Sequence, residues 1–313
     1  MQEQFHQSQR LPKEKLESLM QRSDNPALLH FIILYSLFLG SCFWVVFSWD
    51  KSWLEIILSI LSFGVLSCGL FACEHETVHN TAFKSKALNQ WAARLAGIGH
   101  LYPSAIFREL HFNHHRYTHI PGKDPEISFG GKPVPSVVSS LPMYLSWLSG
   151  LPLLMMKVFF TIAGAFGTPE FLRKNAFPFI SAKARGKVML ESWIVLAVYI
   201  GIVVLAIYVN PGFWGILIGQ VVGHSLLASY VSAEHNGLPH EGDNILEKTR
   251  SMRTNAFVRW LMWNMPYHAE HHAYPAVPFH TLPQLHKEIE GELKHQDLGY
   301  PGFHLKVFSR KIK

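Results

Sequence analysis

Nine histidines in this chain lie at spacings that would bring their rings together after folding. They form one pair, two trios and a single residue: His75 and His79; His111, His114 and His115; His268, His271 and His272; and His235. Neutral imidazole offers a nitrogen lone pair at physiological pH, which makes histidine the commonest metal-binding side chain. A tetrahedral zinc site uses about four ligands, whereas two irons with positions left open for oxygen could use about nine. The number of histidines therefore predicts a centre of two metal ions.

The spacing inside each group is helical. Residues three and four positions apart share one face of an α-helix, so His75 and His79 are expected to project together, as is each His-x-x-His-His trio. Four separate segments would then converge on one point. The alternative is that a chain with 19 histidines shows clusters by chance. The same spacing occurs twice and is joined by a third helical pair, which favours a metal centre.

The composition is that of a membrane protein. Hydrophobic residues make up 49% of the chain and charged residues only 16%, whereas a soluble domain has about a quarter charged. The net charge is +6, but the basic residues lie in short segments between apolar runs and form no nucleic-acid motif. We therefore expect a membrane partner and no nucleic acid. Three cysteines, Cys42, Cys68 and Cys73, lie in or beside apolar stretches and predict no disulfide framework.

Four apolar stretches are long enough to cross a bilayer, which takes about 20 residues. They are Ala27 to Trp49, Trp53 to Cys73, Met189 to Val209 and Gly212 to Ala233. Short polar breaks join the first two stretches and the last two. We therefore predict an all-α integral membrane fold with four transmembrane helices in two hairpins. A cytoplasmic helical cap would hold the metal centre.

The basic residues predict the orientation in the membrane. Lys51 is the only one of the 28 lysines and arginines that lies in a hairpin tip, so the positive-inside rule places both termini and all the histidines in the cytoplasm. Residues 141 to 166 are apolar but contain Pro142, Pro152 and Lys157. A single crossing there would separate the third histidine group from the first two. We therefore predict an interfacial or re-entrant segment.

Two glutamates beside the histidines are candidates for a chemical role. Glu76 completes the motif His75-Glu-x-x-His79, the signature of zinc metalloproteases in which the glutamate is the general base. A membrane protease of this kind would leave both trios and His235 unexplained. A histidine-rich metal carrier without turnover is another alternative. In a two-metal centre, Glu76 and Glu270 are predicted to accept the outer N–H of a ligand ring.

The three histidine motifs, in this order and with the apolar pairs placed as they are, resemble those of the membrane-bound fatty acid desaturases and their hydroxylase and ketolase relatives. The third motif, within the run from Trp263 to His280, resembles the bacterial desaturase-like hydrocarbon oxygenases more than the animal acyl-CoA enzymes. The resemblance predicts a single domain over 1–313. Its family core would be 27–290, between a cytoplasmic N-terminal segment, 1–26, and a cytoplasmic tail, 291–313.

The resemblance implies a non-haem centre of two iron ions, cycling between Fe²⁺ and Fe³⁺, with the nine histidines as ligands and O₂ as co-substrate. It implies oxygen-dependent desaturation of an acyl or lipid chain. The alternative is hydroxylation of a lipid or small amphipathic metabolite at the same centre. In the animal acyl-CoA enzymes an asparagine four residues before the ligand that maps onto His235 helps through water, and this chain has Val231 there.

An external electron donor is also expected. The sequence contains no flavin-binding or haem-binding motif, so a separate carrier such as a ferredoxin is implied. An acidic carrier would be attracted to a group of cytoplasmic basic residues. These are Arg173, Lys174, Lys183, Arg185 and Lys187.

Overall fold

The computed structural model describes residues 11–310 and is mostly helical. The helices are α1 (Lys13–Leu19), α2 (Asp24–Phe47), α3 (Trp53–Val78), α4 (Lys86–Gly99), α5 (Ser104–Tyr117), α6 (Leu141–Leu148), α7 (Leu151–Ala165), α8 (Glu170–Asn175), α9 (Arg185–Tyr208), α10 (Phe213–His235), α11 (Ala256–Leu261), α12 (His268–Ala273), α13 (Leu282–Ile289) and α14 (Gly299–Phe308). The first ten residues of the predicted N-terminal segment and the last three of the predicted tail lie outside the described residues.

Short strands lie in the segments that connect the helices. The strands are β1 (Ser128–Phe129), β2 (Lys132–Pro133), β3 (Ser251–Arg253) and β4 (Gln296–Leu298). Strands β1 and β2 are antiparallel, whereas β3 and β4 are parallel. The β3–β4 pair ties the segment after α10 to the segment before α14. Three 3₁₀ turns complete the elements, at Ala182–Ala184, Ile245–Glu247 and Glu290–Glu292.

Four helices, α2, α3, α9 and α10, are long and apolar enough to cross a membrane. This confirms the prediction of a mostly helical chain with four candidate spans, and it indicates an integral membrane protein. Helix α3 continues past the predicted end at Cys73 to Val78, so it carries His75 itself. Helix α10 ends on His235. Two of the spans therefore deliver histidines directly to the site.

The four spans are not equally buried. In the 18-residue apolar stretch of each span, 50% of α3 and 56% of α10 is buried. In the spans that contain α2 and α9, the buried share is 28% and 22%. Helix α10 packs most extensively along α3, while α9 packs more extensively on α7 than on α10. The two most buried spans are thus the two that carry histidines of the predicted metal centre, His75 on α3 and His235 on α10. The pairing of the spans as two hairpins and the cytoplasmic cap remain predictions.

Small residues bring α3 and α10 together. A Cβ atom on Gly64 would lie 2.6 Å from Val222 Cγ1, and one on Gly223 would lie 3.1 Å from the carbonyl oxygen of Gly64. Glycines at such crossings let two membrane helices approach closely. The close approach fixes the separation of the helix ends and therefore of the histidines on them.

Residues 141–165 form a bent pair of helices. Helices α6 and α7 meet at an angle of 61°, with Gly150 between them at φ +73°, where a Cβ would overlap the backbone of Ser225. Pro142 and Pro152 lie in the first turns of the two helices, where a missing N–H costs no helical hydrogen bond. The bend is compatible with a broken span or with a re-entrant segment. The predicted re-entrant position therefore stays a prediction.

One carboxylate of α9 anchors the start of α5. Glu191 Oε2 accepts hydrogen bonds of 2.7 Å from the backbone N–H of Ala105 and of 2.7 Å from the Ser104 hydroxyl. Its other oxygen accepts a bond of 2.9 Å from Arg94 Nε of α4. Negative charge is favourable at a helix N-terminus. Glu191 thereby holds in place the helix that carries the second histidine trio.

Candidate metal centre

The structure brings all nine predicted histidines to one region, at the ends of α3 and α10. In one set, one ring nitrogen from each residue lies within 4.8 Å of every other: His75, His79, His111, His115 and His271. In a second set the same holds for His114, His235 and His272. His268 Nε2 lies 2.8 Å from His235 Nε2 and therefore belongs with the second set. We call these the first group, of five residues, and the second group, of four.

Each trio is divided between the two groups. On α5, His111 and His115 face the first group and His114 faces the second. On α12, His271 faces the first group, while His272 faces the second. The groups are neighbours, since the rings of His115 and His272 stack with centroids 4.2 Å apart. The two short helices therefore bridge two adjacent sites.

The facing nitrogens are spaced as ligands of one ion would be. Two nitrogens bound at about 2.1 Å and at right angles lie about 3 Å apart. The Nε2 separations in the first group are His79–His111 2.9 Å, His111–His115 2.9 Å and His115–His271 3.1 Å. In the second group they are His114–His235 3.2 Å and His114–His272 3.3 Å.

Outer hydrogen bonds fix the direction of two lone pairs in the second group. His235 Nδ1 donates to the carbonyl oxygen of Lys248 at 2.9 Å, and His114 Nδ1 donates to Asp124 Oδ1 at 3.0 Å. A neutral ring with its proton on Nδ1 carries its lone pair on Nε2. The two lone pairs then face each other across 3.2 Å. A cation that takes the place of a proton between the two nitrogens would be bound by both lone pairs, so the residues present fit a metal ion.

Asp124 is a site residue that the sequence analysis did not identify. Its side chain is fully buried, and its oxygens lie 3.0 and 3.1 Å from His114 Nδ1. It also accepts the backbone N–H groups of His119 and Glu126, at 2.8 and 2.9 Å. Burial opposes ionisation, but the ring of His114 holds the pKa of Asp124 below its usual range. No sequence spacing links Asp124 to the histidines, because it lies in the loop after α5.

The carboxylates of this loop also change the pKa of the His114 ring. Burial by itself would lower the pKa of His114, but the carboxylates of Glu126 and Asp124 raise it to about 9. Both carboxylates lie on the Nδ1 side of the ring, Asp124 at 3.0 Å and Glu126 at 3.5 Å. Carboxylates in this position strengthen the binding of a cation by the other ring nitrogen. The loop from α5 to β1 is therefore part of the site.

The two glutamates predicted to support the ligands are placed differently. Glu76 is fully buried, and its Oε1 lies 3.7 Å from Nδ1 of both His75 and His271. This is beside the first group but beyond hydrogen-bonding distance. Glu270 contacts Ser251 and His286 instead of any of the nine histidines. Glu270 thus ties α12 to β3 and α13.

Two further histidines lie outside the groups, His119 beside His235 and His224 farther along α10. His119 Nδ1 donates to the carbonyl oxygen of Pro239 at 2.9 Å, and its ring centroid lies 5.3 Å from that of His235. His224 Nδ1 donates within α10 to the carbonyl oxygen of Gln220 at 2.7 Å. Neither residue is in the two sets of converging nitrogens.

A cavity of about 1680 Å³ opens beside both groups. Histidines from both groups line one part of it, and the loop that contains Asp124 lines another. Most of the remaining wall comes from apolar and aromatic residues of α3, α5, α7 and α10, among them Phe71, Phe107, Met156, Phe160 and Leu227. Leu227 precedes His235 by eight residues on α10, so the cavity extends about 12 Å along that helix from the histidines.

Comparison with known proteins agrees with this site. The profile of the family described as "Fatty acid desaturase" matches residues 51–304, a range that includes all nine histidines. The chain therefore belongs to the fatty acid desaturase family. This confirms the resemblance seen in the three motifs. Membership indicates a membrane oxidoreductase that desaturates or hydroxylates lipid.

The relatives share low identity over most of the chain. The human "Sphingolipid delta(4)-desaturase DES1" is 24% identical over 279 residues, which cover 87% of this chain and 76% of that protein. The "Sphingolipid delta(4)-desaturase" of Candida albicans is 24% identical over 254 residues, 75% of this chain and 62% of that protein. The mouse "Sphingolipid delta(4)-desaturase/C4-monooxygenase DES2" is 23% identical over 243 residues, 75% of this chain and 66% of that protein.

Proposed function

We propose that this protein desaturates an acyl or lipid chain, using O₂ and two iron ions held by the nine histidines. The observation that supports this most strongly is the presence of two adjacent groups of converging imidazole nitrogens beside a largely apolar cavity. Five nitrogens would hold one ion and four the other. Two redox-active ions with O₂ supply hydrogen abstraction from an unactivated C–H bond, which no side chain can perform.

The residues around the histidines would keep the ligands in position. Asp124 and the carbonyl oxygen of Lys248 hold the outer nitrogens of His114 and His235. Such partners set the tautomer and orientation of a ligand ring. Glu191 anchors α5 from its other end. The ligand geometry is therefore built into the folded chain before an ion binds.

The cavity would orient the substrate. The ring of Phe107 stacks on that of His111 with centroids 5.1 Å apart, and Phe71 lies beside both Phe107 and His75, at 5.5 and 6.2 Å. An acyl chain lying against these rings would pass directly along the histidine groups and would exclude water from them. Small changes in placement alter rates by large factors. The shape of this wall would thus choose which C–H bond reacts.

Hydroxylation by the same centre is the second candidate. It is favoured by the mouse relative, whose name contains both desaturase and C4-monooxygenase. Desaturation removes two hydrogens from the chain, whereas hydroxylation inserts one oxygen. Both outcomes need the same ligands and the same cavity.

A zinc protease built on His75, Glu76 and His79 explains less of the site. His75 and His79 share their set with three further histidines, and the second group has no role in such an enzyme. The metal content distinguishes the two functions. The proposed desaturase should contain two irons per chain, whereas the protease should contain one zinc.

We also propose that both termini and both histidine groups face the cytoplasm, where a separate electron donor such as a ferredoxin would reach them. Part of the basic surface near α8 and α9 is neutralised, because Lys174 pairs with Glu170 at 2.8 Å and Lys187 with Glu191 at 3.6 Å. Lys183 is exposed between these helices. It remains available to an acidic carrier.

Mass spectrometry of lipids from cells with and without the protein tests the reaction. A product lighter by two mass units supports desaturation, and one heavier by sixteen supports hydroxylation. The His271→Ala variant, expressed at the same level, is the control for the metal site. Purified protein that contains one zinc and no iron, with no oxidised lipid in the cells, would refute the proposal.

A further inference from the structure

The wall of the cavity contains a buried lysine. Lys157 of α7 lines the cavity and is only 1% exposed. An ionisable side chain in an apolar helix of a membrane protein is costly and commonly has a function. Its Nζ lies 2.8 Å from His100 Nδ1, and His100 Nε2 lies 2.6 Å from Glu74 Oε2. Glu74 and His100 therefore hold the lysine from one side.

Lys157 has N–H donors to spare. A lysine carries two or three N–H groups, depending on its protonation. Of the described residues, only His100 has a side-chain or backbone acceptor within hydrogen-bonding distance of its Nζ. The Nζ lies 5.7 Å from the centroid of the Phe71 ring and 5.2 Å from that of the Tyr102 ring. The Tyr102 hydroxyl is also buried without a hydrogen-bond partner among the described residues.

These polar groups are close to the histidines. The Phe71 ring centroid lies 5.7 Å from Lys157 Nζ and 6.2 Å from the ring centroid of His75. The lysine and a histidine of the first group therefore lie beside the same aromatic ring. The neighbouring cavity wall is apolar, with Leu153 and Met156 from α7. A plain hydrocarbon tail in this part of the cavity would leave buried donors unpaired, which is unfavourable.

We propose that Lys157, assisted by the Tyr102 hydroxyl, binds an oxygen-bearing group of the substrate on the part of the chain that lies beside α7 in the cavity. The group would be a hydroxyl, a carbonyl or a carboxylate, each of which accepts a hydrogen bond. This inference rests on the proposed function and narrows its substrate class from any acyl chain to one with a second polar group. Glu74 and His100 act as positioning residues for the lysine.

Matched fatty acids test the proposal by binding alone. Isothermal titration of the iron-loaded protein in detergent, without an electron donor, would compare fatty acids of 8 to 16 carbons with their ω-hydroxy counterparts. For at least one chain length, the wild type should bind the ω-hydroxy acid at least as tightly as the plain acid. In Lys157→Met, the ratio of the two Kd values should shift about tenfold against the hydroxy acid, the size expected for loss of one hydrogen bond to a charged group.

The controls separate recognition from a structural role. Lys157→Gln keeps an N–H donor and should keep part of the preference, whereas Met156→Leu, on the same wall, should leave the ratio unchanged. Tyr102→Phe should shift the ratio in the same direction, and it serves as the test if Lys157→Met does not fold. An unchanged ratio, or equal weakening of both acids, would overturn the proposal. The titration measures binding without turnover. If the mass spectrometry of cell lipids found no oxidised product while the Kd ratio shifted as expected, that result would count against the proposed function alone.

Discussion

Replacing Asp124 with asparagine should weaken metal binding at the second histidine group and spare the first. The carboxylate is fully buried and accepts N–H groups from the His114 ring, His119 and Glu126. An amide occupies the same space but turns one acceptor into an NH₂ donor. That donor would face either the ring N–H or a backbone N–H, so the His114 ring would turn or change tautomer.

The size of the effect follows from the position of His114. Loss of the partner behind a metal-bound histidine costs about 10- to 100-fold in metal affinity, which is about 1.4 to 2.7 kcal/mol. His114 belongs to the second group, while the ring nitrogens of the first group converge without it. The loss of affinity should therefore affect only the ion held by the second group. At a free iron concentration that just saturates the wild type, the Asp124→Asn variant should retain about one iron per chain.

Elemental analysis over a range of free iron concentrations measures this directly. Asp243→Asn is the matched control, because Asp243 is exposed in the loop after α10, and it should bind iron as the wild type does. Wild-type iron content in Asp124→Asn at limiting iron would refute the assignment of Asp124. Equal loss of both ions would refute the division of the histidines into two separate groups.

Four further outcomes are expected. His271→Ala should lose iron and turnover together, and retained activity in a well-expressed variant would contradict its role as a ligand. Glu191→Gln removes a charged acceptor from the start of α5 and should lower stability by about 1 to 3 kcal/mol, measured by thermal unfolding in detergent; an unchanged midpoint would contradict the anchoring role. Gly97→Ala should lower the same midpoint because its Cβ would overlap the carbonyl oxygen of Tyr102, whereas Gly201→Ala, with no atom within 4 Å, should not. Higher salt should slow electron transfer from an acidic carrier but not from an uncharged reductant. If the rate from the acidic carrier were the same at low and high salt, electrostatic attraction of the carrier would be excluded.

The sequence by itself determined which histidines meet and which helices carry them. Helical spacing puts His75 and His79 on one face, and the same rule holds for each trio, because the geometry of an α-helix is local. The length of the apolar stretches similarly determined the four candidate spans, since a bilayer needs about 20 apolar residues. The start of α3 at Trp53 and the end of α10 beside His235 follow from this local information.

Only the tertiary structure decided how those histidines are divided. The trio on α5 splits because His111 and His115 face the histidines at the end of α3, whereas His114 faces His235 of α10 and His272 of α12. Asp124 reaches His114 from a loop, and Glu270 turns toward His286, away from the ligands. Lys157 of α7 contacts His100, and His100 in turn contacts Glu74 of α3. Such contacts depend on the positions of helices relative to one another, which residue spacing within a single helix does not encode.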